Sequence, residues 1–97
     1  MDFDFQTSEL NDLYYEGKGK EKYPDYIVRA FFKKIKIINN AKDEGDIRDI
    51  KGNHFEKLKG ENNLYSIRLN DQYRLIFSIE GSNEKKFLIK EISNHYS

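Results

Sequence analysis

Arg68 and Arg74 stand in a stretch where apolar and polar residues alternate, and the planar guanidinium is the side chain best shaped to grip a phosphate. Lys57 and Lys59 precede them, with His54 before those, and His95 and Tyr96 lie among the last three residues. Guanidinium and ammonium groups can neutralise charge that builds on a phosphoryl group. An imidazole exchanges protons near neutral pH, and a phenol can donate a proton or stack on a base. A Lys-x-Lys pair near a turn is more often solubilising surface than catalytic machinery, and a terminal histidine is often just a tail. Other chemistries find less support. Cysteine is absent, which removes disulfides, thiolate metal sites and a thiol nucleophile. There is no His-Glu-x-x-His, no paired histidine at ligand spacing and no carboxylate trio, so neither a metal nor another cofactor is expected. Gly17-Lys18-Gly19-Lys20 lacks the remaining glycines of a phosphate loop, and no Gly-x-Ser-x-Gly elbow offers a serine nucleophile.

The elements that must position these residues follow from periodicity. Tyr65, Ile67 and Leu69 alternate, as do Tyr73, Leu75, Phe77 and Ile79, and Asn70-Asp71-Gln72 between them is rich in turn formers. A three-residue loop 70–72 aligns Leu69 with Tyr73, Ile67 with Leu75 and Tyr65 with Phe77, keeping the apolar sets on one face. The same register sets Arg68 opposite Arg74 on the other face. Like charges across a strand pair are destabilising unless something anionic relieves them. A phosphate would do so, and so would ion pairs with Glu56, Asp71 or Glu91. Lys57 and Lys59 flank this hairpin and are expected to reach the edge of the arginine face. A third strand runs from Phe87 to Ile92, apolar on both faces around Lys90 and Glu91, after a turn at Gly81-Ser82-Asn83. His54–Lys59 reads as a weaker strand, since Phe55 and Leu58 cannot share a face without a bulge.

The N-terminal half reads differently. Asp2-Phe3-Asp4-Phe5 alternates as a short strand with both phenylalanines inward. Thr7 or Ser8 can cap a short helix that gathers Leu10, Leu13 and Tyr14 and ends at Gly17. Pro24-Asp25 suits the first turn of a longer helix reaching about Ala41. Its positions Ile27, Ala30, Phe31, Ile35 and Ile38 recur at helical spacing, while Val28, Phe32 and Ile37 widen the apolar stripe toward the first helix or a partner. Asp43–Asp46 interrupts this pattern, and Ile47 with Ile50 suggests one helical turn before Gly52-Asn53.

Composition sets the bounds. Ninety-seven residues fit a single domain spanning 1–97, of α+β class. Seventeen basic and seventeen acidic residues balance, so global charge does not announce nucleic-acid binding. By halves, residues 1–50 carry nine Lys/Arg against eleven Asp/Glu and residues 51–97 carry eight against six, so any basic site is local and C-terminal. Seven Tyr and seven Phe supply the apolar area of an aromatic-rich core. No apolar run approaches the ~20 residues that span a bilayer, and Met-Asp-Phe-Asp is unlike a signal peptide. A soluble cytoplasmic protein without membrane association is expected.

The central stretch resembles a known family. Asn53-His54-Phe55-Glu56-Lys57-Leu58-Lys59-Gly60 and Tyr65-Ser66-Ile67-Arg68-Leu69-Asn70-Asp71-Gln72-Tyr73-Arg74-Leu75-Ile76-Phe77 look like the corresponding motifs of HigB-type toxins of the RelE/ParE superfamily, and Ile92-Ser93-Asn94-His95-Tyr96 resembles their ending. The resemblance implies two helices packed on a curved antiparallel sheet whose concave face receives mRNA in the ribosomal decoding site. It also implies neutralisation by a HigA-like antitoxin protein and metal-independent cleavage by attack of the ribose 2′-oxygen on the adjacent phosphate. Under it, Lys59, Arg74, Arg68, His95 and Tyr96 are the catalytic candidates, and Lys57, Asn70 and His54 are candidates for RNA binding. Many relatives end in Asp-Tyr-His, whereas here imidazole and phenol are exchanged in order. Two alternatives stay open: a ParE-like toxin that shares the fold and inhibits DNA gyrase without nuclease activity, and a catalytically silent interaction domain.

Overall fold

The computed structural model describes residues 1–60 and 62–94. Its elements are β1 (Asp2–Phe5), α1 (Ser8–Glu16), α2 (Asp25–Asn40), α3 (Glu44–Arg48), β2 (Glu56–Lys57), β3 (Tyr65–Arg68), β4 (Arg74–Glu80) and β5 (Lys86–Ser93). The strands form one sheet in the order β1-β5-β4-β3-β2. The β2-β3, β3-β4 and β4-β5 pairs are antiparallel, but β1 joins β5 in parallel. The sheet is therefore mostly antiparallel rather than wholly so. The reason is topological: the helices intervene between β1 and the meander, and a strand returned by such a crossover can lie parallel to its neighbour.

Local chemistry accounts for the helices. The Thr7 hydroxyl accepts the Leu10 amide at 3.2 Å, and Gly17 ends α1 in the left-handed region at φ 67°, where a Cβ would be strained. Pro24 lies just outside α2, within a residue of its expected place. Asp43, read from sequence as an interruption, instead caps α3 by accepting the Asp46 amide. A third helix thus begins in the acidic segment, because Asp and Asn favour caps as readily as loops.

Burial follows the alternation on the helix-facing side of the sheet. Ile67, Leu75, Phe77, Phe87 and Ile89 are fully buried, against Ile27, Phe31, Ile35 and Ile38 of α2 and Leu10 and Leu13 of α1. Phe77 stacks on Phe87, with ring centroids 4.7 Å apart. Phe32 packs on Tyr14 of α1 at 5.6 Å, so the widened stripe of α2 faces the first helix. The expectation that β5 is apolar on both faces is corrected by a bulge. Phe77 aligns with Ile89 and Ile76 with Glu91, leaving Lys90 as the extra residue. One inserted residue resets the alternation, so Phe87, Ile89 and Ile92 all reach the core.

The bulge also matters for the opposite face. It brings Ser93 directly across from Arg74, which itself lies directly across from Arg68.

Candidate active site

The β3-β4 register is the one the apolar pattern requires: Tyr65 with Phe77, Ile67 with Leu75, and Arg68 with Arg74. The loop between the strands is fixed by Asn70, whose side-chain oxygen accepts the amides of Gln72 at 2.9 Å and Tyr73 at 2.7 Å. Asn70 therefore uses its carboxamide oxygen to close the turn, an Asx arrangement that substitutes for a backbone hydrogen bond. Its carbonyl accepts Arg74 Nη1 at 2.7 Å, and the Tyr73 carbonyl accepts the same nitrogen at 3.1 Å. Asn70 thus holds Arg74 in place.

Arg68 is steadied differently. Its Nη2 pairs with Asp71 Oδ1 and its Nη1 lies 3.3 Å from His54 Nε2. Of the carboxylates that could relieve the arginine pair, Asp71 is the one that pairs with Arg68 among the described residues. That contact is mostly solvated, since the Asp71 side chain is 85% exposed, and exposed pairs are worth only about 0.2–1 kcal/mol. A contact of that strength is one that an anion could displace at small cost.

His54 reaches Arg68 through an unusual backbone. It follows the 3-10 turn Lys51–Asn53 and adopts φ 45°, ψ 56°, a left-handed conformation that few residues other than glycine and asparagine accept. Sequence reading offered no signal for that kink.

Around the arginines the same face carries Ser66, Ile76, Ser78 and Ser93, all buried, with Ser66 aligned to Ile76 and Glu56 aligned to Ser66. The Ser78 hydroxyl has no hydrogen-bond partner among the described residues. Sequence reading passed over the serines, since an isolated serine at each strand carries no pattern.

The lysines divide. Lys57 lies directly across from Tyr65, which places it on the face of Tyr65 and Phe77 and corrects the expectation that it flanks the arginine face. The cause is pleat parity, since Glu56 and not Lys57 aligns with Ser66. Lys59 is exposed, in a turn with Gly60. His95 and Tyr96 lie outside the described residues. Among the described residues, no three His, Asp or Glu side chains come together in a group suited to a metal ion. None of their helices is long and apolar enough to cross a membrane.

Residues 3–91 match the model of a family described as the RelE-like toxin of type II toxin-antitoxin system HigB. The chain belongs to the HigB-like toxin family. It is 40% identical over 78 residues to Toxin HigB-1 of Vibrio cholerae, an alignment covering 79% of this chain and 82% of that protein. An uncharacterized protein of Haemophilus influenzae is 34% identical over 79 residues, covering 80% and 78% of the two chains. Among solved structures, the YoeB/ParE toxin from Agrobacterium tumefaciens superposes with TM-score 0.65 at 18% identity, covering 99% of this chain and all of that one. The YoeB-YefM complex from Staphylococcus aureus superposes with TM-score 0.60 at 23% identity, covering 99% and 98%. At such identities the structural likeness speaks for the fold. This HigB-like toxin shares the α+β architecture of those YoeB structures, and its arginine hairpin lies within the family match.

Proposed function

We propose that this HigB-like toxin is a ribosome-dependent mRNA endoribonuclease, acting in the cytoplasm as a single domain of residues 1–97. The observation that carries the reading is the Arg68–Arg74 pair set across β3 and β4, with the His54 ring against Arg68. Two guanidinium groups on one face suit a phosphodiester whose charge grows as it is attacked. In the proposed reaction a base removes the 2′-hydroxyl proton, the 2′-oxygen bonds to phosphorus, and the bond to the 5′-oxygen breaks as that oxygen is protonated. Arg68, Arg74 and Lys59 stabilise the phosphoryl oxygens, and His95 or Tyr96 moves the protons. Support for the last assignment is positional: Ser93 lies across from Arg74, and His95 follows two residues later in the sequence. His54 and Asn70 contribute to the RNA-binding surface, Asn70 through its hold on Arg74.

A net charge of zero gives weak attraction for free RNA, so the ribosome must present the substrate in position. The regulatory partner is a HigA-like antitoxin protein; the heterotetrameric YoeB-YefM toxin-antitoxin complex from Staphylococcus aureus is the precedent for a protein of this fold bound to an antitoxin. The deciding experiment is primer-extension mapping of translated mRNA after brief expression. New 5′ ends within translated messages are expected. Intact messages together with growth arrest would overturn the nuclease reading and favour a gyrase inhibitor.

A further inference from the structure

His54 reaches Arg68 from a left-handed backbone at the end of the 3-10 turn Lys51–Asn53, and the residue before it is anchored in the interior. Asn53 is fully buried. Its side-chain nitrogen donates to the Ile47 carbonyl at 2.9 Å, and its side-chain oxygen accepts Lys34 Nζ. Lys34 belongs to α2 and Ile47 to α3, so one carboxamide ties both helices to the turn that ends at His54. Burying a polar side chain is costly unless both its donor and its acceptor are engaged. Engaged on both sides, the carboxamide fixes the turn in one position.

Lys34 is not a solvated surface lysine. Burial, then the neighbouring Lys33, lower its pKa from the ordinary lysine value. A partly desolvated ammonium donating to a neutral amide makes a charge-assisted hydrogen bond, stronger and more directional than a neutral one. The backbone at His54 lies in the left-handed region, which costs free energy that the surrounding structure must supply.

We propose that Asn53, clamped by Lys34 and the Ile47 carbonyl, is a positioning residue that holds the left-handed turn at His54 and so seats the imidazole against Arg68. Part of the effect, the consequence for RNA cleavage, rests on the nuclease reading above; the seating of His54 does not. Lys34 and Asn53 act through His54 and Arg68, linking the helical layer to the arginine face.

The test compares wild type with Lys34→Met, which keeps the length of the aliphatic stem but removes the ammonium, and with Asn53→Ala and Asn53→Gln. Two readouts are taken on the full chain. The first is NMR of the His54 ring and the Arg68 side-chain nitrogens, where the cross-ring contact and its shifts are expected to be present in wild type and lost in Lys34→Met and Asn53→Ala. The second is single-turnover cleavage on programmed ribosomes, where the rate is expected to fall up to about 10²-fold, the scale of a misplacement near 1 Å, with ribosome affinity unchanged. Asn53→Gln, with its longer reach, is expected to recover neither signal. Wild-type His54 and Arg68 signals in a folded Lys34→Met would overturn the proposal, as would loss of melting temperature alone with full cleavage. Should wild type itself fail to cleave, the nuclease reading falls, and the NMR comparison still decides whether Asn53 seats His54. Should Asn53→Ala fail to fold, Lys34→Met carries the same comparison.

Discussion

Arg68 lies directly opposite Arg74 across the β3-β4 hairpin, and each guanidinium is drawn to a partner of its own: Asp71 for Arg68, the Asn70 and Tyr73 carbonyls for Arg74. Two cations on adjacent strands repel, and the hairpin loop between them supplies the compensation. The charge of Arg68 is partly offset by an exposed carboxylate, and a contact of that kind is weak enough for an anion to displace.

That exposed pair predicts the behaviour of Asp71→Asn. Removing the carboxylate is expected to raise affinity for the RNA backbone by a few-fold, because an exposed pair of this kind is worth roughly 0.2–1 kcal/mol. Binding to ribosome-held message should also grow more sensitive to salt as another phosphate contact forms. Measured affinities at several salt concentrations check both. Unchanged affinity would mean that Arg68 does not face the phosphate.

Arg74→Ala and Lys59→Ala are expected to abolish growth inhibition with the fold kept. Lys59 is exposed in a turn, where substitutions usually move stability by only about ±0.5 kcal/mol. Arg74→Ala loses two hydrogen bonds to carbonyls, a cost of about 1–3 kcal/mol. Each variant should slow cleavage by roughly 10²–10³-fold, the scale seen when one preorganised charge-stabilising donor is removed. Cleavage rates beside melting curves distinguish chemistry from unfolding, and retained toxicity in either would move the site elsewhere.

The register of this hairpin was legible in the sequence because only one pairing keeps Tyr65, Ile67, Leu75 and Phe77 on a common face. The β5 bulge was not, since Ile89 and Ile92 three apart are compatible with two buried faces as well as with one face and an extra residue. The parallel pairing of β1 was equally hidden: Phe3 and Phe5 alternate alike in either direction. At the site, arginines announce themselves by type, whereas Asn53 matters through partners 19 and 6 residues away. Long-range contacts of that kind leave no local period. Lys57 shows the converse error, in which nearness along the chain suggested a shared face that the pleat denies.

Alkaline stability should depend on Tyr23. Burial, then the nearby Glu9, Glu91 and Tyr73, raise its pKa above 10.0. As pH climbs past about 10, the unfolded chain loses this phenolic proton before the folded chain does, so the folded state holds more protons and its stability falls. Lys34 acts in the opposite sense. Its lowered pKa makes the folded state shed its proton first, which adds stability as pH approaches 10.5. Tyr23→Phe is therefore expected to flatten the alkaline decline, measured by thermal melts at successive pH values from 8 upward. An unaltered decline would show that other groups govern it.

The turn between β4 and β5 offers a test independent of the site. Gly81 adopts φ 95°, and a Cβ built there would lie 2.3 Å from the Glu84 carbonyl oxygen. Both the backbone conformation and the space exclude a side chain. Gly81→Ala is expected to destabilise the fold by at least about 1 kcal/mol, in line with strain at a special backbone position. It should leave the cleavage rate per folded molecule unchanged, because the turn lies at the end of β4 remote from Arg74. Denaturant unfolding and cleavage of the same preparation check the pair.

The identity of the proton-transfer group is decided by substitutions at the C-terminal pair. Imidazole and phenol both suit the role, but histidine has an ordinary pKa near neutrality and tyrosine near 10, so only the imidazole is substantially present in both forms at neutral pH. If His95 is the acid or base, His95→Gln is expected to lower single-turnover cleavage by roughly 10²–10⁴-fold with ribosome binding nearly unchanged, while Tyr96→Phe stays close to wild type. If the phenol serves, the two outcomes exchange. The pH profile adds an independent reading: a histidine base gives a rate that rises through the neutral range, and His95→Gln should erase that rise rather than merely scale it. A tail that only covers the sheet edge would instead lower the melting temperature in both variants and leave cleavage near wild type, and that result would remove both residues from the site.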